Sequence, residues 1–565
     1  MKLKKIDDLA QAQEQGRRYL FPETPRINIG TSSCCIAKGA LNVLNTLSYG
    51  LKSRGIAAEV VATGCTGFCF MEPTVEVQYP GKPKVLYGSI TESDIPLLID
   101  AIAQRDLIPD RAILRTDKEE HIICGHIAYA DTTFDAAYAH IPELSEHEFL
   151  KNQQKVILRN AGNIDPENIY EYIGRGGYQA LCKALSMNPD VIIQEIIASG
   201  LRGRGGGGFP TGLKWKSCKE AAGKEKYLIC NVSEGEPGIG MHRSFLESDP
   251  HAVLEGLIIG GYAIGAQTAY VYIRDNYRTA LKRFTKAVQD AFELGLLGNK
   301  ILGTSFNFNV KIKEGGGRFV CGEETALIAC IEGRIGEPRQ RPPFPTVQGL
   351  FNKPTCINNV ETWANIPVII MKGSSWYSSI GNTGSKGTKV ISLAGNIARP
   401  GMIEVPMGTP LHDIIYTIGG GIAEGKQLKA VQTGGPSGGV LPSNITNICI
   451  DYDVLKNAGS MLGSGGMVIM DEDTDMVKIA HYFTEFFAQE SCGKCVPCRE
   501  GIVRMCKLLD EIIAGYGSKN HLDALQNMAF PIMAASACAL GKTAPVPVIS
   551  TLKHFRKDYL KYITT

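Results

Sequence analysis

The sequence predicts a multidomain α/β protein with a helical C-terminal end, and three observations carry that reading. The chain has 565 residues, enough for three to five domains at roughly 100–200 residues each. Helix-like and strand-like segments alternate over most of it, the pattern of layered α/β units. From about residue 460 the strand-like pattern gives way to long stretches of helical period.

Four units follow in order. Residues 1–115 hold strand-like RINIG, helix-like ALNVLNTLSYGLKSRG, strand-like AEVVA and VEVQYP, and the amphipathic DIPLLIDAIAQ, a small α/β unit. A polar connector, DAAYAHIPELSEHEFLKNQQ, leads on through a second unit, 116–385. There, helices and strands alternate with glycine loops, so a doubly wound, Rossmann-like domain is expected. Residues 386–458 pair short strands (TKVISLAG, GMIEVP) with one helix, LHDIIYTIG, as a compact α+β module. Residues 459–565 read as a helical bundle with little strand, from DMVKIAHYFTEFFAQE, REGIVRMCKLLDEIIAG and LDALQNMAF.

Composition removes several function classes. Hydrophobic residues make up 44% and charged residues 21% of the chain, and the formal net charge is +2. Such a balance lacks the basic footprint of a nucleic-acid or anionic-membrane binder. MKLKKIDDLAQAQEQG has no apolar run after its lysines and is not a secretory signal. GLIIGGYAIGAQTAYVYI contains Gln, Thr and three Tyr; it reads as a buried helix entering a core strand, with no direct membrane span. A cytoplasmic location is expected.

Seventeen cysteines need a reason, and a disulfide framework is not expected in a long cytoplasmic chain. Cys230 and Cys449 sit in apolar runs and Cys506 in a helical pattern, all read as packing. ESCGKCVPCREG is different: Cys492, Cys495 and Cys498 sit three apart, and Cys538 in SACALG follows after two helix-like segments. Four thiolates suit a 4Fe–4S cluster. Structural zinc, the alternative, favours two separated CxxC pairs.

SGLRGRGGGGFPTGLKW contains four consecutive glycines, at 205–208. Glycine runs lose conformational entropy and bury nothing; backbone that must approach a ligand accounts for one, and taken alone a plain surface turn accounts for it equally. Backbone N–H groups with Arg202, Arg204 and Lys214 suggest an anion there. Asn231, Glu234, Glu236, Glu323, Glu324, Asn358 and Asn359 are short polar residues in apolar or glycine-rich settings. As a set they suit a flat heterocycle and a polyol chain; singly, each is explained by turn or capping chemistry.

The motifs RGRGGGGFPTGLKW, EGEPG, CGEETAL, RPPFP, NNVET, QTGGPSGG and ESCGKCVPCREG together resemble the NADH-oxidising FMN subunit of respiratory complex I. They are similar also to the flavin subunits of NAD-linked or electron-bifurcating FeFe hydrogenases and formate dehydrogenases. The resemblance covers about 165–545. It implies FMN held by Gly203, Arg204, Gly205, Gly206, Gly207 and Gly208, with Lys214, Asn231, Glu234, Phe319, Gly322, Glu323, Asn358, Asn359 and Thr362. Phe209 and Phe344 would stack on the adenine of NAD(H) or NADP(H). Glu236 and Glu324 would face the nicotinamide as the catalytic positions. Cys492, Cys495, Cys498 and Cys538 would hold the 4Fe–4S cluster, and the module from 386 would be ubiquitin-like, of SLBB type.

TSSCCIAKGA and TGCTGFCFMEP resemble the cysteine loops of thioredoxin-like 2Fe–2S ferredoxin domains, implying a 2Fe–2S cluster on Cys34, Cys35, Cys65 and Cys69. The adjacent Cys34 and Cys35 break the usual spacing of the first pair, which leaves a degenerate docking domain as the alternative. Family partners are a small 2Fe–2S subunit, a catalytic subunit of FeFe hydrogenase or formate dehydrogenase type, and ferredoxin. Departures such as Ser217, Ser233 and Met241-His242 leave open NADH against NADPH, and an FMN relay or scaffold that no longer meets NAD(H).

Overall fold

β-strands Arg26–Gly30 and Lys84–Tyr87 near the N-terminus bury every residue and Val75–Gln78 alternates buried with half-buried ones, the pattern of strands inside one sheet. The computed structural model describes residues 2–129, 136–238 and 240–563. Strands β1 (Arg26–Gly30), β2 (Glu59–Thr63), β3 (Val75–Gln78), β4 (Lys84–Tyr87) and β5 (Ala112–Thr116) pair in the order β2-β1-β3-β4-β5. β1 and β2 are parallel; the other pairs are antiparallel. The helix Ile95–Gln104 buries Ile95, Leu98, Ile99 and Ile102, the i, i+3, i+4 stripe that its sequence encodes. A hairpin, β6 (Lys118–His121) with β7 (Gly125–Ala128), follows.

The helix Asp8–Leu20 does not join that core. Its Leu9, Ala12 and Leu20 pack into the core of the second unit. A Cβ on Gly16 would lie 1.9 Å from the Tyr170 carbonyl, so only glycine allows this contact.

The second sheet has the order β10-β9-β8-β11, from β8 (Tyr227–Val232), β9 (Thr268–Arg274), β10 (Asn309–Gly315) and β11 (Thr355–Asn359). Every pair is parallel, with the helices Pro250–Ile264 and Arg278–Leu294 as crossovers. The apolar run from Gly256 is indeed a buried helix feeding β9. Its glycines serve packing: a Cβ on Gly256 would lie 2.0 Å from the Trp363 carbonyl, and one on Gly260 2.5 Å from the Trp363 ring. Among the described residues no helix is long and apolar enough to cross a membrane.

The third sheet, β13-β12-β16-β14-β15, is mixed. Its strands are β12 (Thr388–Gly395), β13 (Gly401–Pro406), β14 (Leu428–Thr433), β15 (Val440–Pro442) and β16 (Gly466–Asp471). The middle strand, β16, lies beyond 458, in the stretch read from sequence as helical. It pairs with β12 in parallel and with β14 antiparallel. GMVIMD is one short apolar run, and such a run does not separate strand from helix by period. The sheet is tied to the second unit by a fully buried ion pair between Lys389 of β12 and Glu361 of the helix Val360–Lys372. Beyond β16 come the helices Met476–Glu490, Val496–Glu511, Lys519–Ala535 and Val546–His554.

Candidate functional site: a glycine cradle beside four cysteines

The carboxyl ends of parallel strands, where crossovers leave a crevice, are where α/β sheets bind ligands. β8 ends at Asn231-Val232 and β11 at Asn358-Asn359, and the glycine loop closes over them before the helix Thr211–Glu220. The loop is held by its own backbone and by neighbouring side chains. Gly203 N–H donates to the Phe209 carbonyl at 2.8 Å, Arg204 N–H to Thr362 Oγ1 at 2.9 Å, and the Tyr452 hydroxyl to the Gly203 carbonyl at 2.9 Å. Gly206 and Gly208 adopt φ of +113° and +60°, backbone that glycine reaches without strain. Nothing in the protein lies within 4 Å of where a Gly207 Cβ would stand. The loop therefore presents bare backbone to open space, as a cradle for a phosphorylated ligand must.

Arg204 corrects the expectation for its side chain. It is fully buried and faces away from the crevice, donating to the carbonyls of Arg202 and Lys386 and to the Tyr377 hydroxyl. Arg202 is likewise engaged, with the Gly208 carbonyl at 2.7 Å and Asp453 at 2.9 Å. Both arginines brace the loop, and Lys214 is the cation of the motif that lines the crevice.

Two cavities, of about 490 Å³ and 290 Å³, share Gly205, Gly207, Asn231, Gly322, Glu323 and Asn359. The shared polar residues also hold the local backbone. Glu323 caps the helix Glu324–Ile331 through Thr325 N–H (2.8 Å) and Ala326 N–H (3.0 Å). Asn359 caps Val360–Lys372 through Thr362 N–H (2.9 Å). Asn231 donates to the Gly322 carbonyl (3.0 Å), and Glu234 accepts from Met241 and His242 N–H (3.1 and 3.0 Å). Asn358 lines the larger cavity and sits 3.4 Å from Trp215 Nε1. The same side chains thus cap the local backbone and line the cavities, which presets their orientation.

In the larger cavity Glu324 pairs with Lys214 (2.7 Å) and Arg341 (3.2 Å). Phe209 and Phe344 are 55% and 54% exposed on its rim. Large aromatics left that open beside a cavity are poised to stack on a planar group. Arg341, whose guanidinium lies 5.9 Å from the Phe344 ring centroid, went unremarked in the sequence although it opens the RPPFP motif. The smaller cavity is walled by Phe319, Glu234 and Glu236. Ser464 donates to Glu236 at 2.6 Å, and burial pushes the Glu236 carboxyl up to about 7. Gly434, Ser437, Met461 and Gly463 complete this wall, so the third sheet's unit enters the site. QTGGPSGG was the signal for that.

The smaller cavity reaches Ala539, Leu540 and Thr543, immediately after Cys538. Cys492 precedes the helix Val496–Glu511, Cys495 stands at its N-cap position and Cys498 in its first turn, and Cys538 stands at the N-cap position of the helix Ala539–Thr543. The four come together in one cluster, with Cys492, Cys495 and Cys538 packed against the core that contains Cys498. A convergent set of four thiols, with Cys498 buried and the others half-buried, fits a 4Fe–4S cluster. Cys506 is half-buried in the same helix; Cys230 is buried in β8, whereas Cys449 is only half-buried.

Cys34, Cys35, Cys65 and Cys69 also gather, the first two on the short helix Ser33–Ala37 and the others on the loop after β2. Cys34 Sγ lies 3.8 Å from Cys35 Sγ, and Cys65 Sγ 3.8 Å from Cys69 Sγ.

Three family models match the chain. The Nuo51 FMN-binding domain matches residues 196–368, the iron–sulfur binding region of NADH-ubiquinone oxidoreductase F matches 478–562, and an SLBB domain matches 390–441. The NADP-reducing hydrogenase subunit HndC of Solidesulfovibrio fructosivorans is 50% identical over 413 residues, 73% of this chain and 84% of that protein. An F-type NADH-quinone oxidoreductase subunit of Rhizobium meliloti (strain 1021) is 47% identical over 411 residues, 73% and 98% of the two chains. A crystal structure of an NAD+-reducing NiFe hydrogenase in the H2-reduced state superposes with a TM-score of 0.65 at 28% identity, over 99% of this chain and 87% of that one. The chain belongs to the family of NADH dehydrogenase-type oxidoreductase subunits, with FMN-binding and 4Fe–4S domains, that act within larger hydrogenase or complex I assemblies.

Proposed function

We propose that this subunit exchanges a hydride between NAD(P)(H) and FMN and passes single electrons through the 4Fe–4S cluster to a partner hydrogenase, formate dehydrogenase or other reductase. The observation that carries it is the strip Asn231, Gly322, Glu323. It borders both the cavity rimmed by Phe209 and Phe344 and the cavity that ends beside Cys538. Bound FMN supplies the two-electron to one-electron conversion that this arrangement needs. The chain supplies placement. Lys214 and the glycine N–H groups meet the phosphate and polyol, and Asn231, Asn358 and Asn359 fix the ring edge. Phe209 and Phe344 clamp the adenine, and Arg341 sits where it meets the dinucleotide's phosphates. Glu324, held by Lys214 and Arg341, orients the nicotinamide side, and Glu236 keeps a proton near neutrality there.

The first unit is read as thioredoxin-like and the module from 386 as ubiquitin-like, both acting to dock the neighbouring subunits. Those neighbours are a small 2Fe–2S subunit, a catalytic subunit and ferredoxin, in the cytoplasm and without nucleic acid. Similarity to a hydrogenase subunit described as NADP-reducing supports NADPH beside NADH. Anaerobic purification of the tagged chain, with its companions identified and their metals counted, tests the assignment. A hydrogenase- or formate dehydrogenase-type companion supports it; a chain that carries FMN and iron yet is reduced by neither nucleotide overturns it.

A further inference from the structure

The N-terminal cysteines are packed too tightly for the two-iron cluster that their resemblance implies. A two-metal cluster puts one pair of thiolates on each metal and separates the pairs by its sulfide-bridged core. Two sulfur–sulfur edges are then short and four are long. Here Cys34, Cys65 and Cys69 lie within 4.8 Å of one another, as do Cys35 and Cys65. With Cys34–Cys35 at 3.8 Å, five of the six edges among the four sulfurs are 4.8 Å or less; Cys35–Cys69 is the exception. A single ion with metal–sulfur bonds of about 2.3 Å has tetrahedral edges of about 3.8 Å, the separation of both measured pairs. The distal quartet provides the contrast: among the described residues Cys492, Cys495, Cys498 and Cys538 form no such tight group. An open spacing is what a cube demands, since each thiolate there serves a different iron.

We propose that Cys34, Cys35, Cys65 and Cys69 bind one tetrahedral transition-metal ion, zinc or iron, as a structural site and not as an electron relay. Its surroundings suit a closed site. Cys35 and Cys65 are buried and Cys34 and Cys69 half-buried. Both loops are anchored by their neighbours: Cys65 N–H donates to Ser32 Oγ (2.9 Å) and Gly67 N–H to Cys65 Sγ (3.3 Å). The Gly67 donor orients a coordinating sulfur, and the Ser32 acceptor ties the two loops together. Buried Glu72, held by Thr74 N–H at 2.9 Å, faces Cys35 Sγ at 3.1 Å.

The site also lies at a junction. Ser33 N–H donates to Glu247 of the second unit at 2.8 Å. A Cβ on Gly67 would stand 2.5 Å from the Met402 carbonyl of β13. One ion there would lock the cysteine loops where the first unit meets the other two. Because the ligands are thiolates, binding releases their protons.

Metal and acid-labile sulfide are counted per chain on anaerobically purified full-length protein, and X-ray absorption is recorded at the zinc and iron edges. The proposal expects the four sulfides of the distal cube alone, with one further metal ion in a sulfur-only shell and no short metal–metal vector. Zinc and iron are told apart by the edge. Six irons with six sulfides overturn it, and so does an N-terminal site with no metal. Cys65→Ser should remove one ion and no sulfide; loss of two irons with two sulfides would be the contrary result. The wild-type count decides even where that variant fails to fold.

Discussion

Replacing Glu236 with glutamine removes an acid that the fold holds half-protonated near neutrality. Its carboxyl moves from an ordinary 4.5 to about 7 through burial, with Ser464 as hydrogen-bond donor and Glu234 as a like charge nearby. A shift of that size, at about 1.4 kcal/mol per pH unit, amounts to about 3 kcal/mol. The side chain is only half-buried, and solvent on its open side lowers this to about 1–2 kcal/mol.

The sign follows from proton counting. Between about pH 4.5 and 7 the folded chain binds a proton that the unfolded chain has lost, so stability falls as pH rises through this window and levels above it. Glutamine mimics the protonated acid and escapes the fall. Glu236→Gln should therefore match wild type at pH 4.5 and exceed it by about 1–2 kcal/mol at pH 8.5, read as a higher thermal midpoint of the flavin-free chain at equal scan rate. In flavin-loaded enzyme, the wild-type KM for NADH should rise above pH 7 while that of the variant stays flat. Parallel pH profiles for the two proteins, or a variant less stable at pH 8.5, would refute the reasoning.

Three further outcomes are expected. Lys389→Met leaves Glu361 buried without its partner and should cost about 3–5 kcal/mol, seen as a fall in the denaturation midpoint; adding Glu361→Gln should recover part of it. Phe209→Ala and Phe344→Ala should each raise the KM for NADH about 2- to 10-fold, from about 0.5–1.5 kcal/mol of stacking per ring, with flavin content unchanged. Cys495→Ser should leave nucleotide-driven flavin reduction intact and abolish electron delivery to the partner subunit, measured as dye-independent hydrogen or formate turnover.

The layered α/β architecture was legible because its signals are local. The stripe Ile95, Leu98, Ile99, Ile102 and the apolar run into β9 announce their elements without help from the rest of the chain. Much of the site was legible too, since glycine clusters and CxxCxxC runs have few other uses. What sequence could not show was direction. Arg204 sits among glycines that face the ligand, yet its own side chain turns to Tyr377 and Lys386. The helix Asp8–Leu20 precedes the first sheet in the chain, yet its apolar face belongs to the second core. β16 is a central strand whose six residues carry no decisive period, and its place is set by partners from about 30 to 80 positions away. The entry of Gly434 and Gly463 into the site is likewise a tertiary fact.

The central claim is that nucleotide, flavin cradle and cysteine quartet form one path. It is tested most directly by adding NADH, then NADPH, to the oxygen-free flavin- and iron-loaded chain, while following flavin absorbance and the cluster's electron paramagnetic resonance. The account predicts flavin bleaching first and a reduced-cluster signal after it. A flavin that stays oxidised with both nucleotides, while a chemical reductant still reduces it, would contradict the account and leave a relay fed by another protein.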